Sequence, residues 1–332
     1  MDGESEEAEQ QERSPDGAAT SGAKASHRAG PPTMIGFVNL FKAAGPSSAR
    51  AVSRVRRIYA LYADDRNLGA GHLGTLDPQA AGVLPIAVGK ATRLIPLLPD
   101  QRKSYVFTIV LGRSTTTQDA HGETTEQRDL PSDWPRRLEH VLAEFVGKIT
   151  QAPPMYSAAR HQGKRLYQLA RAGKSVERKS RVVTIYGLTL LGIEVPDPST
   201  GSGQVVARLR VACSEGTYVR TLCQDLGSAI GVPAHMGALV REASGPFVLY
   251  EARLLEEIAQ APERALIAPE HIIPFPTIVL DLRGSADFRA GRVVPLPEGA
   301  TGQHVFVRDE SRALVGIGEA LGTLLAPRKV FT

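Results

Sequence analysis

Asp77 lies in a stretch whose composition suits chemistry. The segment Gly71–Leu84 reads GHLGTLDPQAAGVL and places glycines, a histidine and a single carboxylate in otherwise apolar sequence. Glycines at this density let a loop take unusual dihedral angles or let a ligand approach the backbone closely. A lone carboxylate in such a loop is a candidate nucleophile or base. The Asp77–Pro78 step also predicts the start of a helix, with Asp77 as its N-cap.

A second stretch supplies the candidate partners of Asp77. The segment Cys213–Leu222, CSEGTYVRTL, is predicted to be a strand that bends at Gly216 and leads into a helix. Tyr218 and Arg220 are two residues apart, so they would point the same way on an extended chain. Arg220 would then hold the Asp77 carboxylate ionised and in position. The alternative is a cross-strand packing pair whose arginine head lies in solvent.

Basic residues cluster in one segment of the chain. Residues 160–181 contain eight lysines and arginines and one glutamate. Gly163 and Gly173 would serve as hinges, and Tyr156 and Tyr167 add aromatic rings. The run is either a solvated helix face or an arm that grips a phosphate backbone, and the interleaved tyrosines favour the arm.

The charge distribution also indicates an anionic partner. The formal net charge of the chain is +4, but residues 1–31 carry a net charge of −4, which leaves +8 on the rest. Residues 1–33 lack any apolar periodicity and are predicted to be a disordered acidic tail. In a basic protein, His72 is either an ordinary loop histidine or a ring that stacks on a nucleobase.

Several classes of protein are disfavoured. Cys213 and Cys223 match no disulfide framework or metal spacing and fit a reducing compartment. The stretch ending at Lys90 fails the phosphate-loop pattern, because Leu84 and Ala91 stand where glycine and serine or threonine are required. No membrane span or signal segment is evident. We therefore expect a soluble, cytoplasmic protein without a metal ion or nucleotide cofactor.

The elements that must position these residues follow from periodicity and from turn signals. Strands are predicted at Ile35–Lys42 and Lys103–Gly112, and a helix is predicted to begin at Ser47 or Ser48. Further predictions are a helix over Leu138–Phe145, a helix over 220–231 that Gly231 ends, β-rich stretches over 182–195, 203–222 and 246–255, and short strands over 286–296, 304–309 and 313–320. A boundary is expected near Pro274–Thr277.

Four stretches in this order closely resemble the TruB family of tRNA pseudouridine synthases. They are GHLGTLDPQAAGVLPIAVGKATR, KSY, QAPPMYSAARHQGKRLYQLAR and CSEGTYVRTL. The resemblance implies an α+β fold in which a mixed, mainly antiparallel sheet is flanked by helices. It places this catalytic domain at residues 34–275, with an inserted thumb at about 151–181, and a small PUA-like RNA-binding β domain at 276–332.

The resemblance also implies roles for individual residues. Asp77 would be the catalytic aspartate, Tyr105 the ring that packs on the target base, and Arg220 the salt-bridge partner of Asp77. The remaining implied residues contact the substrate; they are His72, Tyr218, Leu239, Lys42, Arg160, Lys164 and Arg165. Lys42 belongs to the first motif, FKAAGPSS, in which Ala43 stands where the family usually has proline.

The implied activity is the isomerisation of uridine 55 in the T arm of tRNA by a stand-alone monomer. Two alternatives stay open at this point. One is a non-catalytic RNA-binding protein, against which the intact set of Asp77, Tyr105 and Arg220 argues. The other is a synthase that acts on another RNA within a guide-RNA particle, against which the bacterial-style thumb argues.

Overall fold

Strands dominate the fold. The computed structural model describes residues 34–194 and 204–331, so the tail predicted over residues 1–33 lies outside the described residues. The strands are β1 (Ile35–Lys42), β2 (Ala70–His72), β3 (Ala81–Gly89), β4 (Lys103–Leu111), β5 (Arg113–Thr115), β6 (Thr124–Gln127), β7 (Gly147–Gln151), β8 (Arg160–His161), β9 (Lys164–Arg165), β10 (Arg181–Glu194), β11 (Val206–Cys213), β12 (Ala234–Ser244), β13 (Phe247–Val248), β14 (Thr277–Val279), β15 (Val294–Pro295), β16 (His304–Arg308), β17 (Leu314–Leu321) and β18 (Leu324–Val330).

Seven α-helices are found among the described residues. They are α1 (Ser48–Tyr62), α2 (Trp134–Glu144), α3 (Leu166–Arg171), α4 (Val219–Ala229), α5 (Leu255–Gln260), α6 (Pro262–Ala265) and α7 (Leu282–Arg289). None of these helices combines the length and the apolar composition that a membrane-spanning helix requires.

Two sheets organise the chain. The larger has nine strands in the order β1-β3-β12-β4-β11-β10-β7, with β2 paired to β3 and β13 paired to β12. Its pairings are antiparallel except that of β3 with β12. The smaller sheet has five strands in the order β14-β16-β17-β18-β15. The predicted α+β fold with a mixed, mainly antiparallel sheet is therefore confirmed.

The main core lies between the nine-stranded sheet and its helices. Strand β4 buries alternate residues from Lys103 to Ile109, so Phe107 and Ile109 share one face and pack in the main core. Val55 of α1, Leu138 of α2 and Leu222 of α4 are fully buried in the same cluster. The cluster fixes the helices on the sheet, and burial of each such side chain stabilises the fold by about 1.5–3 kcal/mol.

A second core joins the two sheets. Phe37 of β1 and Leu94 of the short 3₁₀ segment after β3 pack in one cluster with Phe306 and Phe331 from the C-terminal sheet. The C-terminal sheet also has its own core, in which Phe288 of α7 is fully buried. Although two sheets form, the division into domains at residue 275 stays a prediction.

Most of the predicted elements are present. Strand β1 has the predicted bounds, and β4 ends one residue before the predicted Gly112. Helix α1 begins after Ser47, whose hydroxyl accepts a hydrogen bond from the Arg50 N–H at 3.2 Å. Helix α4 ends before Gly231, which has the positive φ expected of a helix stop.

The prediction that Asp77 begins a helix is wrong. Residues 77–80 form a turn in which the Ala80 N–H donates to the Asp77 carbonyl at 3.1 Å, and strand β3 follows at once. Residues 82–88 of β3 are all buried, because β3 lies between β1 and β12 in the sheet. Burial and pairing on both sides outweigh the local capping signal of the Asp-Pro step.

Two predicted strand regions are also largely wrong. Residues 246–255 supply only the two-residue strand β13, because Leu249 turns away to pack on the second core. Residues 286–296 supply two strand residues, and their first part belongs to α7. Helix α7 begins where the Asp281 carboxylate accepts from the Gly284 N–H at 2.6 Å, a local cap that outweighs the β-like pattern.

Candidate active site

A cavity of about 560 Å³ brings the chemistry-bearing residues together. It is lined by residues from β2, the turn before β3, β4, the start of α4, and β12. Six residues singled out from the sequence lie on its wall, namely His72, Asp77, Tyr105, Tyr218, Arg220 and Leu239. Met236, which the sequence did not single out, is a further wall residue.

The turn that carries Asp77 is fixed to the beginning of α1. The Ser48 hydroxyl donates to the Leu76 carbonyl at 2.7 Å and lies 2.9 Å from the Leu76 N–H, which donates to it. The Gly45 N–H donates to the Pro78 carbonyl at 2.8 Å. These bonds hold the backbone on both sides of Asp77, so its carboxylate is held in a defined position.

Lys42 has a different place from the one expected of a substrate-binding residue. Its ammonium is buried and donates to the carbonyls of Ala43, Pro78 and Ala80 at 2.9, 3.1 and 2.7 Å. A lysine ammonium has three donors, so none is left for a substrate. Burial lowers the pKa of Lys42 to about 8, with the nearby Asp77 carboxylate opposing the shift. The predicted substrate contact finds no support in this geometry, in which Lys42 instead holds the Asp77 turn through the Pro78 and Ala80 carbonyls.

Arg220 forms the expected ion pair with Asp77. Its Nη2 lies 2.9 Å from Asp77 Oδ2 and also donates to the Tyr156 carbonyl at 2.9 Å. Arg220 is buried, whereas the Asp77 side chain is 32% exposed towards the cavity. Arg220 lies in the first turn of α4, as the helix predicted over 220–231 requires, so the extended-chain argument that aligned it with Tyr218 does not apply. The carboxylate is therefore accessible to a ligand while its cation is held behind it.

A second carboxylate contacts Arg220 from the other side. Asp119 Oδ2 lies 3.7 Å from Arg220 Nη1 and accepts a hydrogen bond from Gln79 Nε2 at 2.7 Å. The Thr117 hydroxyl donates to Asp119 Oδ1 at 2.6 Å. Asp119 is 3% exposed, and the sequence reasoning missed it. Its only local signal is a carboxylate inside the threonine-rich turn that follows β5.

Tyr105 and Arg241 are paired across β4 and β12 beneath the cavity. Arg241 is fully buried and donates from Nε to the Val83 carbonyl at 2.7 Å and from Nη2 to the Gly74 carbonyl at 3.2 Å. Burial raises the pKa of Tyr105 to about 12, and the Arg241 guanidinium partly opposes the shift. The sequence reasoning also missed Arg241, which anchors the glycine-rich loop to the sheet.

His72 faces a cationic environment. Its Nδ1 accepts a hydrogen bond from the Gly74 N–H at 3.3 Å. Burial lowers the pKa of His72, and Arg241, Arg165 and Lys103 add to the lowering. The imidazole is therefore neutral at pH 7, with its other nitrogen able to donate.

Comparison with known proteins decides the family. The model of the TruB family pseudouridylate synthase N-terminal domain matches residues 65–219, and that of the tRNA pseudouridylate synthase B C-terminal domain matches residues 220–270. A protein named tRNA pseudouridine synthase B from Streptococcus pneumoniae serotype 2 is 40% identical over 309 residues, 90% of this chain and 100% of its own length.

The chain belongs to the TruB family. The tRNA pseudouridine synthase B of Burkholderia pseudomallei is also 40% identical, over 90% of this chain and 97% of the relative. Among solved structures, one titled as a Cbf5-Nop10-Gar1 complex is 28% identical, with a TM-score of 0.58 over 90% of this chain and 85% of that one.

The TruB family match covers most of the candidate site. Asp77, Tyr105 and Asp119 fall in the first matched span, and Arg220 and Leu239 in the second. Lys42 and the altered motif Phe41–Ser48 lie before both spans. Lys42 and Gly45 of this motif nevertheless both donate hydrogen bonds to the Pro78 carbonyl of the Asp77 turn. The contact between the motif and the turn is therefore formed with Ala43 in place of proline.

The basic arm lies beside the cavity. The hairpin of the two short strands β8 and β9 carries three exposed basic residues, Arg160, Lys164 and Arg165. None of the three lines the cavity. Residues 157–159, just before the hairpin, do line it. The substrate contacts of the three basic residues stay predictions. No group of three or more histidine, cysteine or acidic side chains that could hold a metal ion occurs among the described residues.

Proposed function

We propose that this protein isomerises uridine 55 in the T arm of tRNA to pseudouridine, as the names of its relatives and the geometry of the cavity jointly support. The single observation that carries the proposal is the exposed Asp77 carboxylate held by buried Arg220 in a cavity walled by Tyr105. A carboxylate that is ionised, oriented and open to the cavity is suited to attack or proton transfer.

The reaction exchanges one bond of the nucleoside for another. The bond between C1′ of the ribose and N1 of uracil breaks, the base turns, and C1′ bonds to C5. The hydrogen of C5 leaves as a proton, and N1 takes up a proton. The product is an isomer, so the reaction has no net redox change. The uridine must first leave its stacked position, at a cost of a few kcal/mol, which contacts of the protein with the RNA backbone would offset.

The residues of the cavity have distinct parts in this proposal. Asp77 acts on the nucleoside, Arg220 holds it, and Tyr105 packs against the base from the floor of the cavity. Leu239 and Tyr218 supply the walls, and the neutral ring of His72 contacts the RNA at the rim. The arm residues Arg160, Lys164 and Arg165 would contact phosphates, and the C-terminal sheet would add a PUA-like RNA-binding surface.

Two further properties belong to the proposal. We expect a monomer, because one chain supplies every residue of the cavity. We also expect a cytoplasmic location, since the buried cysteines Cys213 and Cys223 are both free thiols and the substrate is tRNA. The guide-RNA alternative is less well supported, because the Cbf5 structures are 26–28% identical, against about 40% for the tRNA synthases.

Tritium release tests the proposal directly. A tRNA transcript made with 5-tritiated uridine should lose a single equivalent of tritium to the wild-type protein, because C5 loses its hydrogen only when it becomes the glycosidic carbon. Asp77→Asn should release none and should bind the tRNA within about threefold of the wild type, since the amide keeps the shape of the side chain.

A transcript with cytidine at position 55 is the control for the site. It should bind and release no tritium. Normal turnover by Asp77→Asn would overturn the role of Asp77. Release from the cytidine transcript would show that another uridine is the target.

A further inference from the structure

Arg181 is a cation in the wall of the cavity, and the reaction described above assigns it no role. It is the first residue of β10 and lines the same cavity as Asp77. Among the described residues it has no ion-pair partner, and its Nε is buried without a hydrogen-bond acceptor. An unsatisfied buried donor on a charged group is costly, so such groups in a cavity are candidates for ligand contacts.

The guanidinium of Arg181 is nevertheless held in one place. It lies over the ring of Tyr218, 4.7 Å from the ring centroid. A Cβ added to Gly216 would lie 3.1 Å from Arg181 Nη1, so glycine at this position leaves room for the guanidinium. The contact with the ring occupies part of the guanidinium and leaves its N–H donors available to a ligand in the cavity.

Tyr218 is itself fixed by a buried amide. Gln151 Oε1 accepts from the Tyr218 N–H at 3.0 Å, and Gln151 Nε2 donates to the Tyr218 carbonyl at 3.3 Å. Gln151 is 1% exposed and is the cross-strand partner of Arg181 between β7 and β10. Gln151 therefore fixes the backbone of Tyr218, and the ring of Tyr218 lies under the Arg181 guanidinium. These contacts define the position of the guanidinium before any ligand binds.

The charges around Arg181 favour an anion. Lys103 lies close by, and its pKa is lowered by burial and by Arg241, with a smaller lowering from Arg181 itself. The nearest acidic group of Lys103 is Glu215, at 4.0 Å. Two cations, Arg181 and Lys103, with the single carboxylate of Glu215 leave net positive charge on this side of the cavity. Uracil and ribose are neutral, so the anion of a bound nucleotide is its phosphodiester.

We propose that Arg181, held over the ring of Tyr218, binds a phosphodiester oxygen of the nucleotide that enters the cavity. The inference rests on the proposed function, because it takes the ligand to be a flipped nucleotide of an RNA. The contact fixes the sugar–phosphate backbone while Asp77 acts on the nucleoside. Arg181 is a binding and positioning residue in this scheme.

Neutral phosphate analogues test the contact. A T-arm stem-loop RNA with a tritiated target uridine carries a methylphosphonate at either the 5′ or the 3′ phosphate of that uridine. Arg181→Ala should lower kcat/KM on the unmodified RNA about 10- to 100-fold, because a charge-assisted bond to phosphate is lost. Arg181→Lys should lose less, since it keeps the charge without the flat fork.

The pairing of variant and analogue identifies the contact. At the phosphate that Arg181 binds, the methylphosphonate should slow the wild type by a similar factor and should slow Arg181→Ala by less than about threefold. A role in folding alone would leave Arg181→Ala as sensitive to the analogue as the wild type. The control is Arg102→Ala, because Arg102 also lies over a tyrosine ring, that of Tyr186, but is exposed and outside the cavity.

The proposal is overturned if neither methylphosphonate affects the wild type, a result that needs no variant to fold. It is also overturned if Arg181→Ala, folded by circular dichroism, keeps the full sensitivity at both phosphates. A wild-type protein that binds the stem-loop and releases no tritium would contradict the proposed function instead. The affinities for the two analogues would then still decide the phosphate contact.

Discussion

Arg220 contacts two carboxylates that differ in exposure. Asp77 faces the cavity, whereas Asp119 lies behind Arg220 with a side chain that is 4% exposed. Asp119 is in turn held by Gln79, which follows Asp77 by two residues. The contacts therefore run from Asp77 through Arg220 and Asp119 to Gln79, which lies in the same turn as Asp77. A cyclic network of hydrogen bonds and ion pairs restricts the rotamers of each of its side chains.

Removing the charge of Asp119 tests this circuit. We expect Asp119→Asn to lower the single-turnover rate of tritium release about 10- to 100-fold, because Arg220 loses one of the groups that orient it. Affinity for the stem-loop should change by less than about threefold, since Asp119 does not line the cavity. An equal loss of affinity and rate would contradict a role through Arg220.

The residues of the site differ in how far the sequence could predict them. Asp77 and Arg220 belong to motifs that the family resemblance identifies, and the fold brings Arg220 Nη2 to 2.9 Å from Asp77 Oδ2. Asp119 and Arg241 have no local signal, because their roles depend on partners about 100 and 160 residues away in the chain. The substrate contact of Lys42 is implied only by the family resemblance of its motif. Only the three-dimensional structure shows that carbonyl oxygens use all its donors.

At the scale of elements, local signals succeeded where turn or capping residues mark the ends of an element. Strands β1 and β4 and helix α1 have clear boundaries in the sequence, and all three were predicted. Strand β12 was missed, although it lies in the middle of the larger sheet. Its residues Gly237 and Arg241 are atypical of a strand. Arg241 can be buried because the carbonyls of Gly74 and Val83 accept hydrogen bonds from its guanidinium.

Helix α4 carries a carboxyl whose titration should be visible in stability. Burial raises the pKa of Asp225 to about 6, above its ordinary value of 3.8. The folded chain thus binds this proton more tightly than the unfolded chain. The resulting stabilisation is complete below pH 3.8 and is lost as the pH rises through about 6.

Asp225→Asn should therefore stabilise the protein at neutral pH. We expect the free energy of unfolding to rise by about 1–3 kcal/mol at pH 7.5, and the gain to shrink steadily as the pH falls from about 6 to about 4. Urea denaturation at several pH values measures the difference. The exposed Asp129→Asn is the matched control, and an equal gain at every pH would contradict burial of the Asp225 charge.

At the scale of the whole molecule, the second core ties the C-terminal sheet to the nine-stranded sheet. Phe306 of β16 is fully buried there with Phe37 of β1, and its ring lies 5.7 Å from that of Phe275. The neighbouring Val307 packs instead in the separate core beneath α7. Two adjacent residues of one strand thus pack in two different cores, so a single substitution can weaken one core and leave the other intact.

Phe306→Ala should lower the stability of both sheets together. A buried phenylalanine replaced by alanine costs about 3–5 kcal/mol, and the shared core should transmit that cost beyond the C-terminal sheet. The single tryptophan, Trp134, lies in α2 on the nine-stranded sheet and reports on that sheet alone. We expect Phe306→Ala to move the urea midpoint of Trp134 fluorescence as far as that of circular dichroism, and Val307→Ala, confined to the other core, to move the fluorescence midpoint less. A Trp134 midpoint that stays at the wild-type value in Phe306→Ala, while circular dichroism shows an earlier transition, would mean that the two sheets unfold independently.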